Sequence, residues 1–221
     1  MSSSKPFQLV IGVAMAVLIV LAFVVVPPSG DFESMFGDGN LARVMFFHVP
    51  CALVSFLSFV VAAVHGGRYL KRRDSESDLK SAVAIELGLF FCVIAAVTGA
   101  VFAKATWGAY WHWDPRQTSL AILLLMYAAY RALRGAVVDP ETRAGVSAVY
   151  ALLSIVAGTF LFFVVPRIPA MHSIHPDVIA KRGGMDPMFR TVFFYAMAVF
   201  TGLYAWIYGL SVQVRRLAAE R

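Results

Sequence analysis

Six apolar runs govern what this chain can fold into: residues 7–26, 44–64, 81–103, 119–133, 144–165 and 188–212, parted by short polar segments. A hydrocarbon slab about 30 Å thick takes about 20 helical residues to cross. In a chain of 221 residues, 60% hydrophobic and 14% charged, there is too little polar surface to hide six such runs in water. The bilayer is therefore the expected solvent. Backbone groups in lipid must be paired within the chain, and these runs are continuous rather than alternating, which excludes the strands of a membrane barrel. The expected fold class is an all-α membrane protein with six transmembrane helices, residues 1–221 forming a single polytopic domain.

Charge sets the expected orientation. Residues 7–26 are too long for the core of a cleavable signal peptide and read as a retained anchor with its N-terminus inside. Gly66 and Gly67 are expected to close the second span, followed by a basic loop over 68–80 holding Arg68, Lys71, Arg72, Arg73 and Lys80. With a further turn at 134–143 and a basic tail, 12 of the 19 Lys and Arg fall on one side, which predicts both termini in the cytoplasm. The formal charge of +6 does not indicate nucleic acid, because the cations sort by membrane side instead of forming a patch. Three segments then share the outer face: the start of the second span with His48, a loop at 104–118, and a loop at 166–187.

The loop at 104–118 contains Trp107-Gly108-Ala109-Tyr110-Trp111-His112-Trp113-Asp114-Pro115-Arg116, three Trp within seven positions. Aromatic belts place Trp and Tyr at membrane interfaces, but a belt needs neither this density nor the Asp-Pro-Arg that follows. Such a run can form a flat, polarisable shelf for a planar ligand, a porphyrin or a quinone. His48, just inside an apolar span, is costly without a partner and is a candidate functional group. His172 and His175 lie three apart in the opposite loop, so one imidazole from each side could hold haem iron axially, with either loop histidine available.

Arg43, Arg116, Arg167, Arg182 and Arg190 are expected on that face, where planar guanidinium groups suit carboxylates such as haem propionates. Asp114 is expected to orient its loop by hydrogen bonding or by pairing with an arginine rather than to bind metal. Cys51 and Cys92 sit in apolar runs without metal spacing and read as buried small hydrophobes. Glu86 and His65 are expected near the inner face, away from the outer site. The chain has no phosphate loop, no zinc-protease helix, no nucleophile elbow and no CxxCH attachment motif.

The run from Trp107 to Arg116 resembles the tryptophan-rich signature of the haem-handling proteins of cytochrome c biogenesis. With Phe47-His48-Val49-Pro50 and Ser173-Ile174-His175-Pro176 beside it, nearly the whole chain is similar to CcmC, the haem exporter protein C family. The resemblance implies a haem-binding transfer protein of the inner membrane, not an enzyme, with its site facing the periplasm. It implies His48 and His175 as axial ligands, with Trp107, Tyr110, Trp111, Trp113, Asp114 and Arg116 around them. Haem b would be cargo, passed to the periplasmic chaperone CcmE, with the ABC-type proteins CcmA and CcmB and the small protein CcmD as partners. Family members often carry Trp where this chain has Tyr110, and His112 adds a third imidazole to the motif. The related CcmF and CcsA haem lyases are longer and carry a further histidine pair within the membrane, and they stand as the alternative, followed by a quinone-linked redox protein.

Overall fold

In the computed structural model of the chain, which describes residues 5–175 and 185–219, the described residues are helical and joined by short connections. Among the described residues, six helical segments are long and apolar enough to cross a membrane: Lys5–Val25, Gly39–Arg72, Ser75–Trp107, Pro115–Ala136, Pro140–Arg167 and Pro187–Ala219. Their α-helical parts are α1 (Lys5–Val20), α3 (His48–Arg72), α4 (Ser75–Trp107), α5 (Pro115–Ala136), α6 (Pro140–Thr159) and α7 (Pro187–Ala219), with a short α2 (Gly30–Phe36) between the first two spans. The polar segment 29–40 between the first two apolar runs thus holds a helix, capped at its start by the Ser29 hydroxyl and at its end by Gly37.

The helices outrun the apolar stretches. The basic loop expected over 68–80 is helical except for Arg73 and Asp74: α3 continues to Arg72, Arg73 turns left-handed, and the Asp74 carboxylate caps α4 by accepting from Ser77 N–H at 2.8 Å. Charged residues with good helix propensity extend a helix beyond hydrocarbon at little cost, since the backbone ladder is intact in either solvent. Gly66 and Gly67 do not end α3. A Cβ on Gly66 would lie 3.2 Å from the Ala148 carbonyl oxygen, so this glycine admits the backbone of α6. Likewise the turn expected over 134–143 shrinks to three residues, because Asp139 caps α6 and Pro140 opens it.

The α3–α4 pair forms the spine. Ser58 donates to the Ala84 carbonyl at 2.7 Å and Ser81 to the Ala62 carbonyl at 2.8 Å, so small hydroxyls hydrogen-bond the two backbones across the interface. Phe59 of α3 stacks on Tyr127 of α5, and both are buried. α1 rests mainly on α7, where the Tyr195 hydroxyl donates to the Ala14 carbonyl at 3.0 Å. Two spans carry a π turn near one end, Leu21–Val25 and Phe160–Val164, each shortly before proline: Pro27 and Pro28 in one case, Pro166 in the other. Pro166 has no N–H to give to Phe162, which breaks the regular ladder there.

One end of the bundle is ionic. Glu76, Asp78 and Glu86 project from α4 to Arg216, Arg134 and the pair Arg131 and Arg215, tying α4 to α5 and α7; Asp78 and Arg134 are bidentate at 2.6 and 2.7 Å. Because α4 begins at Ser75, Glu86 lies about three turns inside the helix and is spent on these pairs. The other end holds the aromatic segment.

Candidate functional site

α4 runs on to Trp107 and α5 starts at Pro115, so the aromatic loop expected over 104–118 contracts to residues 108–114. Gly108 ends α4 in the left-handed conformation, φ +82°, and its carbonyl accepts from Lys104 Nζ at 2.7 Å. Trp113 is also left-handed, φ +56°, and this reversal sends its ring outward while the next side chain turns in. That next side chain is Asp114.

The Asp114 carboxylate, 0% exposed, joins the aromatic loop to the segment 173–175. Its Oδ1 accepts from the backbone N–H of Arg116 at 2.8 Å, capping α5, and lies 3.0 Å from His175 Nδ1. Its Oδ2 accepts from Ser173 Oγ at 3.0 Å and from the Ile174 N–H at 2.8 Å. Burial alone would push this carboxyl upward, but the bonds from His175, Arg116 and Ile174 outweigh it and hold Asp114 well below the usual carboxylate range. An ionised Asp114 accepts only, so Nδ1 of His175 is the donor in this contact and Nε2 is the nitrogen turned away from it.

His48 is the first residue of α3, and its Nδ1 lies 3.0 Å from the Thr98 hydroxyl of α4. Thr98 is nine residues short of the end of α4, which puts this contact roughly 13 Å of helical rise beneath the aromatic loop. His48 is thus deeper than the outer rim where its place in the sequence suggested. It nevertheless meets His175. Both histidines, with Arg116 and Leu120, line two adjoining cavities of ≈ 380 and ≈ 90 Å³. The larger is walled by Phe32, Met45, Val49, Phe102, Leu123 and Phe162 among others, and its mostly apolar lining and size fall in the range of small-molecule sites.

The tryptophans divide. Trp107 is turned inward, edge-on to His175 at 5.0 Å and to His112 at 5.9 Å, and packed against Phe36 and Phe102. Trp111 lines the smaller cavity. Trp113, 76% exposed, meets Trp111 edge-to-face at 5.6 Å and, like exposed Tyr110, lines neither cavity. Of the three Trp expected to form one shelf, only Trp111 lines a described cavity. Trp107 is a strut behind the histidine instead.

The arginines also separate. Arg116 and Arg167 line the larger cavity, and Arg167 donates to the Phe163 carbonyl at 2.8 Å. Arg43 is engaged elsewhere, donating to the Ala22 carbonyl in the first π turn and to Asn40 Oδ1 at 3.0 Å. Arg190 lines neither cavity, and Arg182 lies outside the described residues, as do Pro176, Lys181, Gly183 and Gly184 of the loop at 166–187. His172 is exposed, left-handed and absent from the cavity wall; His112 is absent too, its Nε2 buried with no hydrogen-bond partner among the described residues. His65 and Glu86 lie far along α3 and α4 from the cavity, as expected, and Cys51 and Cys92 are free and buried. No group of three or more metal-binding side chains occurs among the described residues.

Sequence reasoning gave Thr98 and Gly99 no part in the site. The available signal was a Thr-Gly pair at the one level of α4 where a histidine of another helix arrives, and that level is visible only after folding.

Comparison with known proteins gives one consistent answer. The sequence model for the family described as CcmC, heme exporter protein C, matches residues 2–221. Heme exporter protein C of Paracoccus denitrificans is 37% identical over 130 residues, covering 56% of this chain and 54% of that protein. The protein of the same description from Escherichia coli K12 is 28% identical over 181 residues, 80% of this chain and 71% of its own. Against the Paracoccus and Rhodobacter capsulatus relatives, the match spans about half of their length.

Proposed function

This chain belongs to the heme exporter protein C family, and from that premise we propose that it binds haem between His48 and His175 and passes it on for c-type cytochrome biogenesis. The observation that carries the reading is that two histidines 127 positions apart line one apolar cavity, each with Nδ1 beside a side-chain oxygen. Nε2 is the nitrogen left for iron on both. Axial imidazoles whose second nitrogen is held in this way are oriented and made more basic.

The surrounding residues fit such a cargo. The porphyrin's apolar faces would meet Val49, Phe102, Leu120 and Phe162, while Arg116 and Arg167 would pair with the propionates. Asp114 would orient His175 rather than touch haem. Trp111, Trp113 and Tyr110 would present an aromatic surface outside the cavity, where a receiving protein could approach. Haem b is cargo in this reading, and the protein is a carrier, not an enzyme.

The membrane is the cytoplasmic membrane, with both termini inside and the site at the periplasmic face. The ionic end of the bundle supports this, since it carries Arg68, Lys71 and Arg72 at the end of α3 and Arg215 and Arg216 on α7. The receiving protein is the periplasmic chaperone CcmE, and the assembly includes CcmA, CcmB and CcmD, as the resemblance to the family implies. One domain, residues 1–221, does this work.

Absorption spectra of the purified chain titrated with haem test the reading. The parent should give the bands of iron held by two histidines, and His48→Ala or His175→Ala should abolish them. Full binding by the double variant would overturn the assignment.

A further inference from the structure

The Thr98 hydroxyl sits among three candidate partners: Ile94 O at 2.7 Å, Ala95 O at 3.2 Å and His48 Nδ1 at 3.0 Å. A hydroxyl has one proton. The carbonyls can only accept, and the shorter contact is to Ile94 of the same helix, where a threonine places its proton one turn back. What remains toward His48 is a lone pair, so the imidazole must be the donor, with the Ala95 carbonyl of α4 as its second acceptor. Its proton is therefore on Nδ1, and Nε2 bears the free lone pair.

Position is set by the next residue. A Cβ built on Gly99 would lie 2.8 Å from His48 Cε1, and its next nearest atoms, at 3.5 and 3.7 Å, belong to the same ring. Contacts under 3.0 Å are essentially never tolerated, so the ring occupies the space that this side chain leaves open. Gly99 lines the smaller cavity beside both histidines, whereas Thr98 lies at the rear of the ring.

We propose that Thr98 and Gly99 of α4 form the seat of His48, the hydroxyl fixing its tautomer and the missing side chain fixing how far its ring sinks toward α4. The pair are positioning residues, and the proposal rests on His48 being an iron ligand. The histidine is carried by α3, but its aim is set by α4. Asp114 does for His175 what Thr98 does for His48, with a neutral oxygen here in place of a charged one.

The test is a hemin titration of the full chain in detergent, read as affinity and as band positions. Thr98→Val removes the acceptor at nearly constant shape and should weaken binding about 10- to 100-fold, the usual loss when the group behind a metal-bound histidine is removed. Its spectrum should shift from a two-histidine to a one-histidine form. Thr98→Ser should retain the parent affinity and bands, and Gly99→Ala should behave as Thr98→Val. Should Thr98→Val not accumulate as folded protein, Gly99→Ala decides the matter, because the added methyl meets only His48 among its three nearest atoms. Parent-like binding and bands in Thr98→Val and Gly99→Ala would overturn the seat, provided His48→Ala has lost haem. Equal damage in Thr98→Ser and Thr98→Val would overturn the role of the hydroxyl. Unchanged binding in His48→Ala and His175→Ala would instead remove the ligand reading beneath it.

Discussion

His48 stands on a helix and is backed by a neutral hydroxyl, whereas His175 stands on a loop and is backed by a buried carboxylate. The helix fixes one ring through the packing of α3 on α4. The loop has no such ladder, and Asp114 supplies one by accepting four hydrogen bonds, from Arg116, Ser173, Ile174 and His175. The difference teaches that a side chain on irregular backbone needs charge to reach the precision that a helix gives through packing. It also makes the two imidazoles unequal as donors, since a carboxylate raises the basicity of its histidine more than a hydroxyl does.

The sharpest way to break the comparison is Asp114→Ala. Losing all four bonds should free residues 173–175 and lower haem affinity about 100-fold, the upper end for a group behind a metal ligand, as hemin titration would record. Trp107→Ala removes the strut behind His175 without touching Asp114, and should cost about 3 kcal/mol in denaturant or thermal unfolding, as for other large rings in packed clusters. Asp114→Asn sharpens the contrast instead. It keeps one oxygen for His175 but has no second oxygen for Ser173 and Ile174, so about a tenfold loss of affinity is expected. The opposite end of the bundle is the control: Glu86→Gln weakens pairs whose arginines are largely exposed, and should change unfolding by no more than about 1 kcal/mol with the haem bands unmoved.

Hydropathy marked the six spans because a run of apolar residues is a statement about lipid, and lipid thickness is fixed. It did not mark helix ends. Arg68–Arg72 and Ser75–Lys80 are polar by composition yet helical by propensity, and no hydropathy scale separates those properties. His48 and the loop histidines His172 and His175 were legible because topology brings their segments to one face, with His175 singled out by the resemblance through Ser173-Ile174-His175-Pro176. The partners behind them were not: Asp114 is 61 positions from His175 and Thr98 is 50 from His48, so each contact exists only after packing. Arg43 looked equivalent to Arg116 for the same reason, until the first π turn offered it the Ala22 carbonyl. The density of Trp suggested one shelf, and the left-handed residue that splits it cannot be read from a count.

That left-handed residue has a consequence for what the outer surface is for. A bulky aromatic side chain at φ +56° is held against a steric penalty of about 1 kcal/mol or more, in a place where glycine would be relaxed. Trp113→Gly should therefore be the unusual truncation that leaves thermal stability level or raised, while haem stays bound and its departure to a receiving protein slows. The ring at 113 would then be an expense carried by the fold on behalf of an encounter, in the way a handle adds nothing to the strength of a door.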